Sequence, residues 1–157
     1  MSKQKPKPKP VRASRTELAD LMHPPDANVN GTVFGGRILQ MVDKAAGVCG
    51  MRHAGSPVVT VAMDRVEFLV PIYVGELVTV KAQVNHVGRS SMEVGIEVYG
   101  ENLDRGTRQH TNSCLATMVA LDAKGKPREV PGLLIETPEE KERWSAAEIR
   151  REARKSS

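Results

Sequence analysis

The chain of 157 residues is 39% hydrophobic and 27% charged, with a formal net charge of +4, which allows one domain with a substantial core. Six Lys and Arg residues and no acidic residue lie among the first fifteen positions, so the remainder, with 17 basic and 19 acidic residues, lacks the basic surface that nucleic-acid binding requires. Because the sequence contains neither a run of about eighteen apolar residues nor an apolar signal segment, we expect no membrane insertion and a cytoplasmic location.

The N-terminal segment, residues 1–14, alternates Lys and Pro. Such a sequence buries little apolar surface and favours extended, polyproline-like backbone. We therefore predict a disordered basic tail over residues 1–14. A short strand is predicted over Thr16–Met22, and it ends at Pro24 and Pro25 because proline donates no ladder hydrogen bond.

A strongly apolar helix is predicted from Gly36 to about His53, and its few polar residues form a narrow stripe. A helix of this kind belongs inside a core. Asp43 lies beyond the edge of the stripe, where a carboxylate must be paired, protonated or functional. Gly36, Gly47 and Gly50 fall within about 40° of Asp43 on a helical wheel. Three glycines on one flank of a helix indicate that a ligand or another backbone approaches it.

After the helix the apolar period becomes two, which predicts antiparallel strands of about ten residues. The first strand is apolar over much of both faces and is expected to be buried, whereas the second has a polar face that we expect to be solvated. The predicted strands are Val58–Glu67, Leu77–Val87, the segment from Ser91 to Val98, and Arg108–Leu121.

The turn Gly88-Arg89-Ser90 predicts a hairpin between the second and third of these strands. A highly charged helix is predicted from Glu139 to about Arg154, with Trp144 and Ile149 as its apolar anchors. The whole pattern predicts an α+β fold in which a curved antiparallel sheet of about five strands surrounds a long central helix, followed by a C-terminal helix.

Two cysteines, Cys49 and Cys114, lie in the apolar helix and in a predicted strand. We interpret both as reduced core residues and not as catalytic thiols. The four histidines lack metal-ligand spacing, so no metal site is predicted.

Three segments carry a recognisable pattern: MHPPDANVNGTVFGGRIL at residues 22–39 followed by Asp43, VTVAMDRVEF at 59–68, and GRSSMEV at 88–94. In this order and spacing they resemble the hotdog-fold acyl-CoA thioesterases of the bacterial YciA and cytosolic acyl-CoA hydrolase group. The resemblance covers roughly residues 16 to 135. It implies a hotdog domain over residues 15–135, with the charged helix, residues 136–157, following it.

The resemblance also implies a catalytic site. It places the catalytic acid on Asp43 and an asparagine that completes the site from a neighbouring subunit on Asn28. Phe34 stands where the animal members have His, which places the chain nearer the bacterial branch. Two alternatives remain open: Asp43 paired with Arg37, Lys44 or a basic partner across an interface, and Asn28 forming an Asx-turn that shapes its loop.

The residue chemistry agrees with thioester hydrolysis, which needs an activated water or a nucleophile and stabilisation of negative charge on the carbonyl oxygen. Free N–H groups near Gly36 at the helix N-terminus are candidates for holding that oxygen, and Gly35 lets a substrate approach the backbone. Asp43 is expected to act as general base or as nucleophile.

Binding of coenzyme A is predicted for Arg89, Ser90 and Ser91, because a turn offers N–H groups and Arg offers a charge for phosphate. The alternative is an ordinary hairpin turn with a solvated arginine. Thr60 is a further candidate for substrate binding, with a purely structural role as its alternative.

The sequence therefore predicts an enzyme that hydrolyses acyl-CoA to a free acid and coenzyme A without a cofactor. The resemblance implies a homo-oligomer, a dimer of hotdog subunits assembled further into a hexamer. Two other functions remain open: a hotdog hydratase or dehydratase, which relies on a catalytic His where Phe34 stands, and a protein that binds acyl-CoA without hydrolysing it.

Overall fold

The structure, a computed structural model, describes residues 5–156. The strands are β1 (Lys9–Pro10), β2 (Thr16–Leu21), β3 (Val58–Phe68), β4 (Leu77–Val87), β5 (Ser91–Asn102), β6 (Thr107–Ala120) and β7 (Leu133–Leu134), and the helices are α1 (Gly35–Ala54) and α2 (Pro138–Lys155). Five strands form an antiparallel sheet in the order β2-β4-β5-β6-β3. Helix α1 contacts all five of them. The predicted α+β architecture, with a long central helix, a five-stranded sheet and a C-terminal helix, is confirmed.

The core lies between α1 and one face of the sheet. Alternate residues of β6 from Cys114 to Ala120 are buried, which is the period-two pattern of a half-buried strand, whereas β5 is buried on both faces from Met92 to Ile96. Both cysteines are buried and unpaired. Burial raises the pKa of the Cys49 and Cys114 thiols to about 11, so the interpretation as core cysteines is confirmed.

Residues 9–14 pack against the body of the protein, so the prediction of a disordered tail is wrong for them; residues 1–4 lie outside the described part of the chain. Lys9 donates its N–H to the Gly132 oxygen at 2.9 Å as β1 pairs with β7. Val11 is 1% exposed, and Ser14 is fully buried. The Lys/Pro pattern favours extended backbone, but extended backbone is also what a β pair requires, and Val11 supplies the apolar anchor.

Two surfaces that were predicted to be buried are exposed within the chain. Helix α1 exposes a face that includes Gly36, Gln40 and Asp43, so it is not buried all round. Strand β3 exposes residues on both of its faces, among them Val59 and Val61. Strand β3 lies at the edge of the sheet, with β6 as its one neighbour among the strands of residues 5–156, so a single chain leaves this surface uncovered.

Helix α2 covers part of the outer face of β4 and β5, so the prediction that the polar face of β4 is solvated is wrong for Asn85, whereas Lys81 of the same face is exposed. Asn85 and His86 are 4% and 6% exposed, and the Trp144 ring lies 4.0 Å from the His86 ring. The buried apolar residue of α2 is Ala147, whereas Ile149 is 71% exposed and is not an anchor. Across residues 5–156, neither helix is long and apolar enough to cross a membrane.

Candidate functional site

The first residues of α1 present free backbone donors. Phe34 is the N-cap residue, and its side chain forms no capping hydrogen bond. The N–H groups of Gly35 and Gly36 form no hydrogen bond to any residue in the described range 5–156. The first N–H groups of a helix have no partner within the helix, and the helix dipole adds positive potential there. This end of α1 therefore has the donors that the prediction for Gly36 requires.

An ion-pair cluster holds the loop that leads into α1. Arg37 donates from Nε to Asp26 Oδ1 at 2.9 Å and from Nη2 to Asp20 Oδ2 at 2.6 Å. The backbone N–H of His23 donates to Asp26 Oδ2 at 2.8 Å, and this hydrogen bond together with the one from Arg37 Nε outweighs desolvation and lowers the pKa of Asp26. The entry of the chain into α1 is thereby fixed from two sides.

Asp43 and Thr60 meet across α1 and β3. Thr60 Oγ1 donates to Asp43 Oδ1 at 2.7 Å and also lies 3.4 Å from Met118 Sδ. Asp43 is exposed, and no Lys or Arg among residues 5–156 forms an ion pair with it, because Arg37 is engaged elsewhere. The alternative in which Asp43 is paired with Arg37 or Lys44 is therefore wrong for this chain. One carboxylate oxygen is held in place, and Asp43 stays accessible.

The glycines near Asp43 differ in what surrounds them. A side chain at Gly47 would meet nothing within 4 Å, which agrees with an open flank. A Cβ at Gly50 would instead lie 3.5 Å from Val58, so Gly50 faces the core. A Cβ at Gly35 would lie 3.1 Å from the Phe68 ring. Close packing therefore explains Gly35. A Cβ at Gly36 would likewise make only an ordinary contact of 3.5 Å, with the Phe34 ring, so packing does not require glycine at Gly36 or Gly50. The open flank predicted for the approach of a ligand or another backbone is found at Gly47.

Asn28 forms an Asx-turn in its own loop. Its Oδ1 accepts from the Asn30 N–H at 2.8 Å and from the Thr32 N–H at 3.3 Å, and its Nδ2 donates to Thr32 Oγ1 at 2.9 Å. The structure thus shows the loop-shaping role that was kept as an alternative. Asn28 makes no hydrogen bond to Asp43 of the same chain, and its catalytic role remains a prediction.

The free N–H groups at the start of α1 and the Asp43 carboxylate are separated along the helix. Gly36 and Asp43 are seven positions apart, and a rise of about 1.5 Å per residue places them roughly 10 Å apart along the helix axis. Reacting atoms need to come within about 3–3.5 Å of each other. The carboxylate of one chain therefore lies too far along the helix axis to contact directly a carbonyl group that the N–H groups of the same chain hold.

The turn Arg89-Ser90-Ser91 lies at the end of the sheet that carries Thr60. Ser91 pairs with Val119 of β6, and Val119 pairs with Val59 of β3, so the turn lies about 10 Å across the sheet from β3 at a strand spacing of about 4.8 Å. Arg89 is exposed, and its guanidinium forms no hydrogen bond to the residues that the structure describes. The predicted contact with coenzyme A remains a prediction.

One polar residue near the start of α1 was missed by the sequence analysis. Asn112 of β6 is 1% exposed, and neither its Oδ1 nor its Nδ2 has a hydrogen-bond partner among residues 5–156. It lines a cavity of about 340 Å³ together with Gly35, Ile38 and Phe68. In the same part of the chain, no group of three His, Cys, Asp or Glu residues is placed to hold a metal ion.

Comparison with known proteins gives one consistent result. A model of the thioesterase superfamily matches residues 30–107. Protein VdlD of Helicobacter pylori is 42% identical over 144 residues, which cover 90% of this chain and 82% of VdlD. YkhA of Bacillus subtilis, described as an uncharacterised acyl-CoA thioester hydrolase, is 38% identical over 82% of this chain and 75% of its own length. The mouse cytosolic acyl coenzyme A thioester hydrolase is 31% identical over 88% of this chain but only 37% of its own length.

Solved structures agree closely with this fold. A hexameric acyl-CoA thioesterase superposes with a TM-score of 0.92 at 42% identity, over 96% of both chains. The acyl-CoA hydrolase of Staphylococcus aureus, solved in complex with butyryl coenzyme A and coenzyme A, superposes with a TM-score of 0.87 at 35% identity, over 94% of this chain and 90% of the hydrolase. The same hydrolase has also been solved with an aspartate, a threonine or an asparagine replaced by alanine.

Proposed function

Because the chain belongs to the acyl-CoA thioester hydrolases of the thioesterase superfamily, we propose that Asp43 drives hydrolysis of acyl-CoA to a free acid and coenzyme A at a site shared between two subunits. Hydrolysis is the reaction named in these relatives, and the hydratase, dehydratase and non-hydrolytic alternatives are not favoured. Phe34 in place of a catalytic His argues further against a hydratase or dehydratase. The observation that carries the catalytic proposal is the exposed Asp43 carboxylate held by Thr60 at 2.7 Å.

A shared site follows from the separation along α1. The N–H groups of Gly35 and Gly36 receive the thioester oxygen of a substrate, and Asp43 of the partner subunit faces the same carbonyl carbon. Such an arrangement arises when two α1 helices lie antiparallel across a two-fold axis, since each contact is then made twice. The exposed face of α1 and the edge strand β3 are the surfaces available for this pairing.

The reaction needs only water and the protein groups. Asp43 either takes a proton from water, whose oxygen then bonds to the carbonyl carbon, or itself bonds to that carbon and is released later by water. In both routes negative charge develops on the carbonyl oxygen and is stabilised by the helix N–H groups. The C–S bond then breaks. In the first route the coenzyme A thiolate takes up the proton that Asp43 removed from water, and in the second it takes up the proton released when water hydrolyses the acyl-Asp43 anhydride. No cofactor is required beyond coenzyme A as part of the substrate.

Arg89, Ser90 and Ser91 are proposed to contact the coenzyme A portion, with the unpaired Arg89 guanidinium directed to phosphate. Asn28 is proposed to hold the loop that faces Asp43 of the partner subunit. The residue types substituted in the Staphylococcus aureus hydrolase, an aspartate, a threonine and an asparagine, are those of Asp43, Thr60 and Asn28, which supports this set.

The assembly and location follow the same relatives. We propose a dimer of hotdog subunits assembled into a hexamer, as in the hexameric neighbour, with no nucleic-acid partner and no membrane insertion. A cytoplasmic location is supported by the cytosolic mouse relative. The catalytic domain is proposed to span residues 15–135, with residues 136–157 as an accessory helix that packs on its sheet.

Two experiments test the proposal. Incubation with acyl-CoAs of several chain lengths and a thiol reagent should release free thiol, and binding without release would contradict hydrolysis. Asn28→Ala and Asp43→Ala chains, each nearly inactive, should regain about a quarter of wild-type activity when unfolded together and refolded as a mixture. About half the dimers are then heterodimers, and each of these has one intact site. A mixture as inactive as its parents, despite verified heterodimers, would contradict a shared site.

A further inference from the structure

Asn112 is a buried amide without an internal role. Its side chain is 1% exposed, and both of its polar atoms lack a hydrogen-bond partner in the part of the chain that the structure describes. A buried amide can donate two hydrogen bonds and accept two, and leaving these groups unpaired is costly. An apolar residue at this inward position of β6 would avoid that cost. The polar atoms of Asn112 therefore require a hydrogen-bond partner from outside the chain.

The cavity beside Asn112 has space for such a partner. Its volume is about 340 Å³, and its other lining residues are mainly apolar, with Val33, Ile38 and Ile72 among them. The two threonines of the lining are already engaged. Thr111 Oγ1 donates to the Val98 oxygen at 3.2 Å, and Thr32 Oγ1 accepts from Asn28 at 2.9 Å. The amide of Asn112 is thus the unpartnered polar side chain of this lining.

The cavity adjoins the proposed reaction centre through Gly35, which lines it and carries one of the two free N–H groups. A thioester oxygen bound to those N–H groups places the acyl chain at the mouth of the cavity. This step rests on the proposed function, since it uses the position given there to the thioester.

We propose that this cavity receives the acyl group and that Asn112 makes the enzyme prefer acyl groups that carry a hydroxyl or keto oxygen over unsubstituted chains of the same length. A hydroxyl group donates to Oδ1 or accepts from Nδ2, and a keto oxygen accepts from Nδ2. A methylene group in the same place leaves the buried amide unpaired, and sites built around a buried polar group discriminate strongly against analogues that lack its partner. Asn112 is thus a specificity-determining residue and takes no part in breaking the C–S bond.

The test compares butyryl-CoA with both enantiomers of 3-hydroxybutyryl-CoA and with acetoacetyl-CoA. In wild type, kcat/KM for the better oxygenated substrate should exceed that for butyryl-CoA. Asn112→Leu, which is similar in size and apolar, should lower this preference at least tenfold, through slower hydrolysis of the oxygenated substrate and unchanged or faster hydrolysis of butyryl-CoA. Thr111→Val, at the neighbouring position of the same lining, should leave the preference unchanged, because the Thr111 hydroxyl is already bonded to Val98.

A preference that stays within twofold in Asn112→Leu would overturn the proposal while thioesterase activity stands. The melting temperature supplies a second criterion, because replacing an unpaired buried amide by an apolar residue should leave it equal or higher. A clear loss of stability in both Asn112→Leu and Asn112→Val would show that the amide is bonded within the protein, which would also overturn the proposal. If no substrate releases thiol, the proposed function fails. The role of Asn112 is then tested by calorimetry with the same coenzyme A esters. Wild type should bind the oxygenated esters more tightly than butyryl-CoA, and Asn112→Leu should lose this preference.

Discussion

Removing the hydroxyl group of Thr60 should slow catalysis without weakening binding. Thr60→Val keeps the shape of the side chain but removes the donor that lies 2.7 Å from Asp43 Oδ1. A hydrogen bond to a charged acceptor contributes about 1.5–3 kcal/mol. Since both residues are exposed in the single chain, water can replace part of this interaction, and we take the lower end of the range. About 1.4 kcal/mol corresponds to a factor of ten, so kcat should fall roughly tenfold.

Steady-state thiol release gives the measurement, with kcat and KM determined separately. KM and the melting temperature should change little, because Thr60 acts by positioning Asp43. Thr60→Ser retains the hydroxyl group and is the matched control, which should restore most of the lost turnover. Equal activity of the Val and Ser variants would refute this reasoning. A rise in KM with unchanged kcat would instead assign Thr60 to substrate binding, as the sequence suggested.

Three further predictions concern stability and the absence of a cofactor. Arg150→Met should lower the free energy of unfolding in urea by about 3 kcal/mol, because it leaves Glu93 buried without its ion pair, and a loss below about 1 kcal/mol would contradict this. Truncation of residues 1–14 should cost about 2 kcal/mol in the same assay through the loss of Val11, and an unchanged midpoint would show that this packing is unimportant. Dialysis against EDTA should leave turnover unchanged, whereas loss of activity restored by a metal would refute a cofactor-free reaction.

The acid dependence of stability follows from the pKa of Glu93. Burial raises this pKa, but hydrogen bonds from Arg150 at 2.9 and 2.7 Å and from Asn85 outweigh burial and bring it below the ordinary value of 4.5. A carboxyl group with a lowered folded-state pKa stabilises the fold above its unfolded-state pKa, and this contribution is lost as the pH falls through the folded-state pKa. Stability should therefore decline below about pH 4.5. In Arg150→Met this part of the decline should disappear, and an identical acid profile for both proteins would contradict the assignment.

Local periodicity was sufficient to predict the elements of the fold. The observed β4, Leu77–Val87, has the predicted bounds, and α1 begins one residue before the prediction and ends one residue after it. Apolar residues alternate in β4 from Val78 to Val84, and α1 is apolar over most of its length; such patterns are the strongest local signal a sequence carries. The hairpin at Gly88-Arg89-Ser90 likewise follows from residues adjacent in sequence.

Contacts between distant segments were not predictable in the same way. Val11 is a single apolar residue among lysines and prolines, and its segment packs against β4, which is distant in sequence. Asn85 and Glu93 have the pattern of a solvated face, yet α2 covers both, with Arg143 donating to Asn85 and Arg150 donating to Glu93. The exposure of β3 depends on its edge position in the sheet order, which no local pattern encodes.

The candidate site was predicted residue by residue but not as a geometry. Asp43 and Thr60 were chosen separately, and only the packing of α1 on β3 joins them. Asn112 was missed, although the sequence contained a signal for it. It is one of the alternate residues of β6 that face the core, and Cys114, Ala116 and Met118 follow it in this pattern. A polar residue at a core-facing position of an alternating strand marks a candidate site, because such a group requires a partner.

Turnover of the Asp43→Asn variant tests the central claim most directly. The substitution keeps the shape of the side chain and leaves Thr60 a hydrogen-bond acceptor, but it removes the charge that accepts the proton or attacks the carbonyl carbon. Thiol release from acyl-CoA should fall by about 10²–10⁴-fold, with an unchanged melting temperature and unchanged oligomeric state. Turnover within about threefold of wild type would exclude Asp43 from the reaction and contradict the proposed catalytic site.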